Sequence, residues 1–309
     1  MMRIHFIAIG GSNMQSLASA MKKNGHEITG SDDVIFDPLG TKSENEGLLP
    51  KKLGWYREKI NNTLDIVILD MHVKLNNPEL IRAQELKLKI QSYSEFLASI
   101  CQDKTRIVIA GSYGKTTITA MILHVLNYHQ VTADFMLGSP IPSIKETLSI
   151  NNNNDFMLLE GDECFSSAID RVSKFLWYLP EIALISGIAW DHINVFPTFE
   201  NYVNQFEKFI FSIQEGGVLI YNEEDLFLKK LVESSVHPIK KISYKTPRHH
   251  IENGITFLDT SEGSLPLFVF GRHNLMNFAG AKWISQLMGI NASDFHEAIL
   301  SFKGAEKTT

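Results

Sequence analysis

The sequence predicts an α/β protein built from two domains that follow one another along the chain. Short apolar and β-branched runs alternate with stretches of helical periodicity through most of the 309 residues, which is the pattern of parallel sheets. Two of these runs lead into glycine-containing turns, at Gly10-Gly11 and at Gly111–Gly114. The polar segment 101–105 separates the halves, so we predict domains over residues 1–104 and 105–309.

The composition is that of a globular protein rather than of a fibre, a disordered chain or a membrane protein. Hydrophobic residues make up 44% of the chain and charged residues 21%. The net charge of −6 and the lack of a basic run argue against a nucleic-acid partner. Cys101 and Cys164 lie far apart, and neither a signal peptide nor a membrane-spanning run stands out. We therefore expect a reduced, cytoplasmic setting with no membrane partner.

The first domain opens with the strand–turn–helix–strand unit of a Rossmann-like sheet. The strand 3–9 leads into Gly10-Gly11-Ser12, a helix follows, and a second strand ends at Ser31-Asp32. A glycine turn at a helix N-terminus can hold a pyrophosphate, and an acid about 20 residues on can bind a ribose hydroxyl. The third glycine of the dinucleotide fingerprint is missing. A nicotinamide or flavin site and a glycine required only for strand–helix packing therefore both stay open.

Two more strand–helix pairs complete this first domain. The apolar run 65–69 predicts a third strand, and a helix over 78–86 follows it. The run 89–92 predicts a fourth strand, with a helix over 94–100 behind it. Strands that alternate with helices in this way form a parallel sheet.

The second domain is organised around a glycine turn that follows the strand 106–110. The turn reads Gly111-Ser112-Tyr113-Gly114, and Lys115-Thr116-Thr117 opens a helix that we predict to reach residue 128. Glycines allow close backbone approach, helix N–H groups point at anionic oxygens, and a lysine adds a positive charge. The spacing is shorter than the common phosphate-loop form, because Ile109 stands where its first glycine would be. We predict a phosphate site; the alternative is a purely structural β–α turn.

An acidic residue ends the next buried strand of this domain. The run 155–159 leads into Glu160-Gly161-Asp162-Glu163. A carboxylate in this position after a phosphate loop can hold Mg²⁺, with the hydroxyl of Thr116 as a second ligand. The alternative is a solvated acidic turn. We favour the metal role for Glu160.

Two later turns carry polar side chains that have both structural and functional interpretations. His192 follows the strand 182–187, at the sheet edge where open α/β folds collect their ligands, although an isolated histidine is more often structural. Asn274 lies in the turn before an apolar helix, after a helix over 199–212 and a β-rich stretch over 254–270. It can act as a helix cap or as an amide that recognises a base.

Together these motifs resemble those of the Mur ligases, the ATP-dependent amide-forming enzymes of peptidoglycan metabolism. The resemblance covers the whole chain in order, from the two loops of the first domain to Gly111-x-x-Gly114-Lys115-Thr116-Thr117, Glu160-x-Asp162-Glu163, Asp191-His192 and Gly271-Arg272-His273-Asn274. It identifies the fold as a Rossmann-like domain followed by a central ATPase-type phosphate-loop domain. It also accounts for the shortened glycine spacing, which is the family's own.

The resemblance implies a role for each of these residues. It implies that a UDP-sugar is bound by Gly10, Gly11, Ser12, Met14, Ser31 and Asp32. It implies that ATP is bound by Gly111, Ser112, Tyr113, Gly114, Lys115, Thr116, Thr117 and Asn274. Mg²⁺ would be held by Thr116, Glu160 and His192, and catalysis would depend on Lys115, Glu160 and His192.

The implied reaction joins UDP-N-acetylmuramate to a peptide or an amino acid. The stretches 171–180 and 190–196 are most similar to the peptidoglycan-recycling member, which adds L-alanyl-γ-D-glutamyl-meso-diaminopimelate. The runner-up is the member that adds L-alanine. The relatives also have a third domain, which binds the amine, whereas this chain ends at Thr309. We therefore expect binding of UDP-N-acetylmuramate without full turnover.

Two hypotheses from other classes stand beside this one. A nicotinamide-dependent oxidoreductase would use the first glycine turn but leaves Lys115-Thr116-Thr117 unexplained. A non-catalytic nucleotide-binding module would use both turns without any ligation.

Overall fold

The computed structural model describes residues 1–34, 48, 52–141, 144, 146–151, 153–191, 193–260, 263–267 and 271–302. The chain divides into two compact units. The first contains Met1–Gln102, Glu146–Ile150 and Cys164–Tyr178, and the second contains Asp103–Lys145, Asn151–Glu163 and Leu179–Thr309. The first unit thus takes in two segments from the stretch predicted for the second domain.

A four-stranded parallel sheet forms the centre of the first unit. Its strands are β1 (Arg3–Ile7), β2 (Glu27–Ser31), β3 (Ile66–Leu69) and β4 (Ile90–Ser92). Their order across the sheet is β2-β1-β3-β4. Strands β1 and β3 are buried apart from Arg3, which explains why both read as continuous apolar runs.

Three described helices follow the strands of this sheet. They are α1 (Ser12–Lys23), α2 (Pro78–Glu85) and α3 (Tyr93–Ile100). Asn77 caps α2 by accepting hydrogen bonds from two N–H groups of its first turn, and Pro78 supplies a φ that suits the first helical position. The Ser92 hydroxyl accepts from the Glu95 N–H and caps α3 in the same way. Helix α1 follows Gly11, which provides no side-chain cap.

The second unit contains a larger parallel sheet. In chain order its strands are β5 (Thr105–Ala110), β6 (Asp134–Met136), β8 (Phe156–Glu160), β9 (Ile182–Ile185), β10 (Val218–Asn222) and β11 (Lys240–Tyr244); the short β7 (Leu148–Ser149) belongs to the first unit. The order across the sheet is β11-β10-β9-β5-β8-β6. Since β5 lies between β8 and β9, the turns after these three strands share one edge.

The helices of the second unit begin at well-defined caps. Those described are α4 (Lys115–Tyr128), α5 (Phe199–Ser212), α6 (Leu226–Ser234), α7 (Arg272–Leu287) and α8 (Ala292–Ile299). Side chains cap three of them, since Thr198, Asp225 and Asn291 accept from first-turn N–H groups of α5, α6 and α8. Helices α4 and α7 instead follow Gly114 and Gly271, so no side chain covers their first N–H groups.

A small antiparallel sheet follows β11 in the second unit. Its strands are β12 (His249–Glu252), β13 (Ile255–Thr260) and β14 (Gly263–Leu267), in that order across the sheet. The predicted β-rich stretch 254–270 falls on this sheet, apart from residues 261–262 and 268–270, which lie outside the described part of the chain.

Each unit has its own hydrophobic core. In the first unit Ile7, Val67 and Leu69 pack with α2 under the parallel sheet. In the second, apolar residues of α4, α7 and α8 pack against the sheet, and Phe278 and Phe295 lie edge to face. Across the residues described, none of the helices has both the length and the apolar character needed to cross a membrane.

Candidate functional site

Two glycines shape the turn between β5 and α4. Gly111 and Gly114 have φ values of +122° and +80°, a backbone region that side chains disfavour. A Cβ at Gly111 would collide with Ser186, and one at Gly114 would collide with the Asn277 side chain. The turn is therefore held close to the end of β9 and to α7, and both positions require glycine.

Lys115 lies over this turn. Its Nζ donates a hydrogen bond to the Gly111 carbonyl oxygen at 2.5 Å and lies 3.6 Å from Oε2 of Glu163. The ammonium group is partly exposed, whereas the Glu163 side chain is buried. A mobile cation thus stands beside the first N–H groups of α4, which have no acceptor within their own helix. This combination attracts a polyanion.

Glu160 stands at the end of β8 beside the start of α4. The Thr116 hydroxyl donates to its Oε2 at 3.1 Å, and the Gly138 N–H also donates to this carboxylate. Burial raises the pKa of Glu160, and these hydrogen bonds oppose the rise. Its Oε1 is buried and has no hydrogen-bond partner among the described residues.

The Thr116 and Glu160 pair fits a divalent cation. A hydroxyl and a carboxylate are hard oxygen ligands of the kind that Mg²⁺ prefers, and an unsatisfied buried carboxylate oxygen is stabilised by a cation. Within the described residues no group of three or more His, Cys, Asp or Glu side chains could hold a metal. Phosphate and water oxygens would have to complete the coordination. His192, the third predicted ligand, lies outside the described residues.

The turn after β9 packs directly against the glycine turn. The Ser112 N–H donates to the Gly187 carbonyl at 3.0 Å, and the Ser186 hydroxyl donates to the Tyr113 carbonyl. A Cβ at Gly187 would collide with the Tyr113 ring. Two turns that lie far apart in the sequence are thus joined by backbone contacts.

The start of α7 reaches the same place. The His273 ring lies edge to face with the Tyr113 ring at 6.2 Å, and the Asn277 side chain lies against Gly114. Asn274 is in the first turn of α7, where its N–H donates to the Gly271 carbonyl. The structure thus brings the start of α7 next to the glycine turn. The predicted recognition of a base by Asn274 stays a prediction.

The N–H group and the hydroxyl of Ser112 are both engaged in hydrogen bonds within the protein. Its N–H bonds to Gly187, and its hydroxyl lies 2.7 Å from the Tyr202 hydroxyl. In this arrangement it shapes the turn rather than facing a ligand. Its predicted role in ATP binding stays a prediction.

The first unit has a glycine turn of a different kind, between β1 and α1. The Gly10 N–H donates to Oδ2 of Asp32 at 2.6 Å, and the Val34 N–H donates to Oδ1 at 3.1 Å. A Cβ at Gly10 would collide with the Val34 carbonyl, whereas a Cβ at Gly11 would meet nothing within 4 Å. Burial raises the pKa of Asp32. Asp32 therefore shapes the turn, and Gly11 lies at its open side.

The other predicted UDP-sugar residues fall into two groups. Ser12 is partly exposed at the start of α1, where the N–H groups of a first turn are available to a ligand. Met14 and Ser31 are buried, and the Ser31 hydroxyl accepts a hydrogen bond from Lys59 at 3.0 Å. Their predicted contact with a UDP-sugar stays a prediction.

Three residues near the glycine turn of the second unit were given no role by sequence reasoning. Glu163 lies in the acidic motif but was treated only as a neighbour of Glu160, and Tyr202 belongs to the apolar stripe of α5. Asn277 follows Asn274 by three residues, a spacing that puts both on neighbouring positions of one helix face. That spacing could have indicated that Asn277 lies near the site. No local sequence pattern distinguishes Tyr202 from an ordinary core residue.

A separate cavity of about 650 Å³ lies along α7 and the start of α8. Phe278, Lys282 and Trp283 are among its lining residues, and burial lowers the pKa of Lys282. None of the predicted ATP-binding residues lines it.

The fold and the turn together define a class: an α/β protein whose phosphate-loop domain follows a Rossmann-like domain. Comparison with known proteins makes this specific. The Mur ligase middle domain matches residues 109–284, and the domain described as "Mur ligase family, catalytic domain" matches residues 3–105. The chain belongs to the Mur ligase family, and the predicted family and fold class are confirmed.

Two names recur among the similar proteins. UDP-N-acetylmuramate–L-alanine ligase of Carboxydothermus hydrogenoformans is 28% identical over 99% of this chain and 66% of its own length. The chain thus spans about two thirds of the length of such curated relatives. UDP-N-acetylmuramate:L-alanyl-γ-D-glutamyl-meso-diaminopimelate ligase of Neisseria meningitidis has a TM-score of 0.85 at 22% identity, covering 99% of this chain and 100% of that one.

A second solved structure shows the same fold with the other name. UDP-N-acetylmuramate-alanine ligase of Thermotoga maritima has a TM-score of 0.76 at 21% identity, covering 99% of this chain and 70% of that chain. At these identities the structural matches establish the fold, and the choice of substrate has to be argued separately.

Proposed function

We propose that this chain provides the two nucleotide-binding parts of an ATP-dependent amide-forming ligase that acts on UDP-N-acetylmuramate. The first unit binds the UDP-sugar at its glycine turn, and the second binds ATP with Mg²⁺. Because the reaction consumes ATP, we place it in the cytoplasm.

One observation carries the proposal: Lys115, Thr116 and Glu160 meet at one glycine turn. The Lys115 ammonium, the open N–H groups of α4 and the Thr116–Glu160 pair stand at a single sheet edge. Phosphoryl transfer depends mainly on positioning and on charge neutralisation, which these groups supply. A structural β–α turn has no need of a buried, partly unsatisfied carboxylate such as Glu160.

Each group has a definite part in the proposed reaction. The carboxylate of UDP-N-acetylmuramate attacks the γ-phosphorus of ATP, so that an acyl phosphate forms and ADP leaves. An amine then attacks the acyl carbon, phosphate leaves, and the amine loses a proton. Lys115 and the α4 N–H groups neutralise the phosphate oxygens. Mg²⁺, held by Thr116 and Glu160, would supply further neutralisation of the β- and γ-phosphates.

For the amine, we propose the tripeptide L-alanyl-γ-D-glutamyl-meso-diaminopimelate. The stretches 171–180 and 190–196 support this choice, since they are most similar to the recycling member of the family. L-Alanine is the alternative, and the names of the curated relatives favour it.

Titration calorimetry on the chain tests the binding part of the proposal. We expect one site for ATP that depends on Mg²⁺ and one site for UDP-N-acetylmuramate. UDP-N-acetylglucosamine lacks the lactyl carboxylate and is the matched control for the sugar site. Absence of binding by both nucleotides would overturn the proposal.

An ADP-release assay on the full-length ligase tests the ligase part and the choice of amine, because we do not expect full turnover from the two units alone. ATP, Mg²⁺ and UDP-N-acetylmuramate are supplied with either the tripeptide or L-alanine. Faster release with the tripeptide supports the recycling reaction, and faster release with L-alanine supports the alternative. Binding of both nucleotides without release in either mixture would favour a nucleotide-binding module.

A further inference from the structure

A chain of hydrogen bonds runs from the glycine turn of the second unit to the buried carboxylate of Glu163. The Tyr202 hydroxyl lies 2.7 Å from the Ser112 hydroxyl and 2.8 Å from Oε1 of Glu163. The Ala189 N–H donates to the Ser112 hydroxyl at 2.8 Å. Tyr202 and Glu163 are 0% and 1% exposed, so water does not compete for the bond between these two side chains. The other carboxylate oxygen of Glu163 faces Lys115 at 3.6 Å.

The donors in this chain can be assigned by counting protons. Tyr202 donates its single hydroxyl proton to Oε1 of Glu163, so it has no proton left to donate to Ser112. Ser112 must then donate its own proton to the Tyr202 oxygen, while its oxygen accepts from Ala189. Burial and the charge of Glu163 raise the pKa of Tyr202, so the phenol keeps the proton that this order requires. The order runs from Ala189 through Ser112 and Tyr202 to Glu163.

The hydroxyl of Tyr202 is not needed for packing. The ring lies edge to face with Phe196 at 5.5 Å and with Phe206 at 5.3 Å, contacts that a phenylalanine would also make. A hydroxyl buried in such a cluster lowers stability unless it is hydrogen-bonded. Here both of its partners belong to the region of the glycine turn. The hydroxyl therefore serves the turn rather than the aromatic core.

We propose that Tyr202 is a positioning residue for the phosphate-binding turn, which connects the fixed Glu163 carboxylate to Ser112 and so holds Gly111–Gly114 ready for ATP. Ser112 transmits this restraint, because it also bonds to Gly187 and Ala189 beyond β9. The proposal rests on the proposed function, in that it assumes that the turn binds ATP. In this proposal the buried Tyr202 acts through Ser112 and does not itself contact the phosphates or Mg²⁺.

Tyr202→Phe removes only the hydroxyl and tests the proposal directly. The dissociation constant for ATP with Mg²⁺ should rise about tenfold, which corresponds to about 1.4 kcal/mol. Affinity for UDP-N-acetylmuramate should stay unchanged and shows that the variant is folded. Tyr128→Phe is the matched control, because Tyr128 also donates to a carboxylate, that of Glu297 at 2.9 Å, but does so on the protein surface. It should bind ATP as the wild type does.

A double-mutant cycle separates positioning from a general loss of stability. Ser112→Ala and Tyr202→Phe interrupt the same chain, so the double variant should bind ATP no more weakly than the weaker single variant. Effects on affinity that simply add would overturn the proposal, as would a Tyr202→Phe variant whose ATP affinity matches that of Tyr128→Phe. If the wild type binds no ATP, the proposed function itself fails. That result can be told apart from the two outcomes that would overturn only the role of Tyr202.

Discussion

The two glycine turns follow the same strand–turn–helix order but reach opposite electrostatic arrangements. In the first unit, the Asp32 carboxylate accepts a hydrogen bond from the Gly10 N–H. This N–H is therefore not available to a bound phosphate. In the second unit a cation stands over the turn, since the Lys115 ammonium donates to the Gly111 carbonyl oxygen. The carboxylates there, Glu160 and Glu163, face a hydroxyl and that ammonium.

This difference shows how one local motif can serve two kinds of nucleotide. A turn with an added cation and open helix N–H groups suits the dense charge of a triphosphate. A turn braced by a buried carboxylate leaves fewer N–H groups for phosphate and places an acid near the sugar of a nucleotide. We therefore attribute the specificity of each unit to the charged residue beside its turn rather than to its glycines.

Lys115→Ala should have the largest effect, and it should distinguish most clearly between ATP binding at one turn and UDP-sugar binding at the other. Removing the ammonium leaves the phosphate oxygens without their mobile cation, so ATP binding should fall at least a hundredfold, about 2.7 kcal/mol. Binding of UDP-N-acetylmuramate should stay within a few-fold of the wild type. Calorimetry with both ligands measures this. A variant that loses both affinities would indicate that Lys115 is chiefly structural.

Asp32→Ala should have the next largest effect, and it should weaken binding of the UDP-sugar rather than of ATP. The Gly10 and Val34 N–H groups lose their acceptor, so the free energy of unfolding should fall by about 1–3 kcal/mol. Affinity for UDP-N-acetylmuramate should fall about tenfold, and ATP affinity should not change. The exposed neighbour Asp33, changed to alanine, is the control and should alter neither. Unchanged binding of UDP-N-acetylmuramate by Asp32→Ala would contradict the proposed contribution of Asp32 to the sugar-nucleotide site.

Glu160→Gln should raise stability while it weakens the effect of Mg²⁺. Burial raises the pKa of Glu160, so the folded protein holds this proton to higher pH than the unfolded chain does. Ionisation of Glu160 with rising pH therefore lowers the free energy of unfolding, and the glutamine variant escapes this loss. Its advantage over the wild type should therefore grow as the pH rises above the ordinary pKa of a glutamate.

Two measurements check this prediction. Urea unfolding should give nearly equal stabilities for Glu160→Gln and the wild type at about pH 4.5 and a gap that widens toward about pH 8. The Mg²⁺ concentration that half-saturates ATP binding should rise several-fold. The exposed Glu215, changed to glutamine, should show neither change. A variant with an unshifted Mg²⁺ curve would contradict the metal role of Glu160.

Gly11→Ala should give the smallest change in stability. Gly11 has φ −71° and ψ 145°, a conformation open to any residue, and an added Cβ meets nothing within 4 Å. The thermal midpoint should therefore stay within about a degree or two, whereas Gly10→Ala, which forces a contact with the Val34 carbonyl, should lower it clearly. If Gly11 contacts the UDP phosphates, Gly11→Ala will still weaken UDP-N-acetylmuramate binding. Unchanged sugar-nucleotide binding would exclude that contact.

The regular parts of the fold were predictable because local signals agree there. The strand that ends at Ala110, the helix over 115–128 and the helix over 199–212 all follow apolar periodicity with clear starts. Helices α6 and α8 were not predicted, although Asp225 and Asn291 are standard caps for them. The segments 146–150 and 164–178 belong to the first unit through contacts distant in sequence, and no local pattern reveals such contacts.

In the candidate site too, some features follow from sequence patterns and others depend on contacts between residues distant in the sequence. Parallel strands place their carboxyl ends at one edge, which is why Lys115, Thr116 and Glu160 were predicted as a group. Tyr202 could not be predicted, because its position on the buried face of α5 matches an ordinary core residue. The hydrogen bonds of the Asp32 carboxylate with the Gly10 and Val34 N–H groups depend on the backbone path of residues 32–34. Short-range sequence patterns do not specify that path, so these bonds could not be predicted.

The central claim is that one chain binds two different nucleotides at two independent turns, and a competition titration tests it most directly. The wild type is first saturated with UDP-N-acetylmuramate, and ATP with Mg²⁺ is then titrated into the same sample in the calorimeter. We predict a stoichiometry of one ATP per chain, with no displacement of the UDP-sugar. Displacement of UDP-N-acetylmuramate in proportion to the ATP bound would mean that both ligands use one site and would contradict the account.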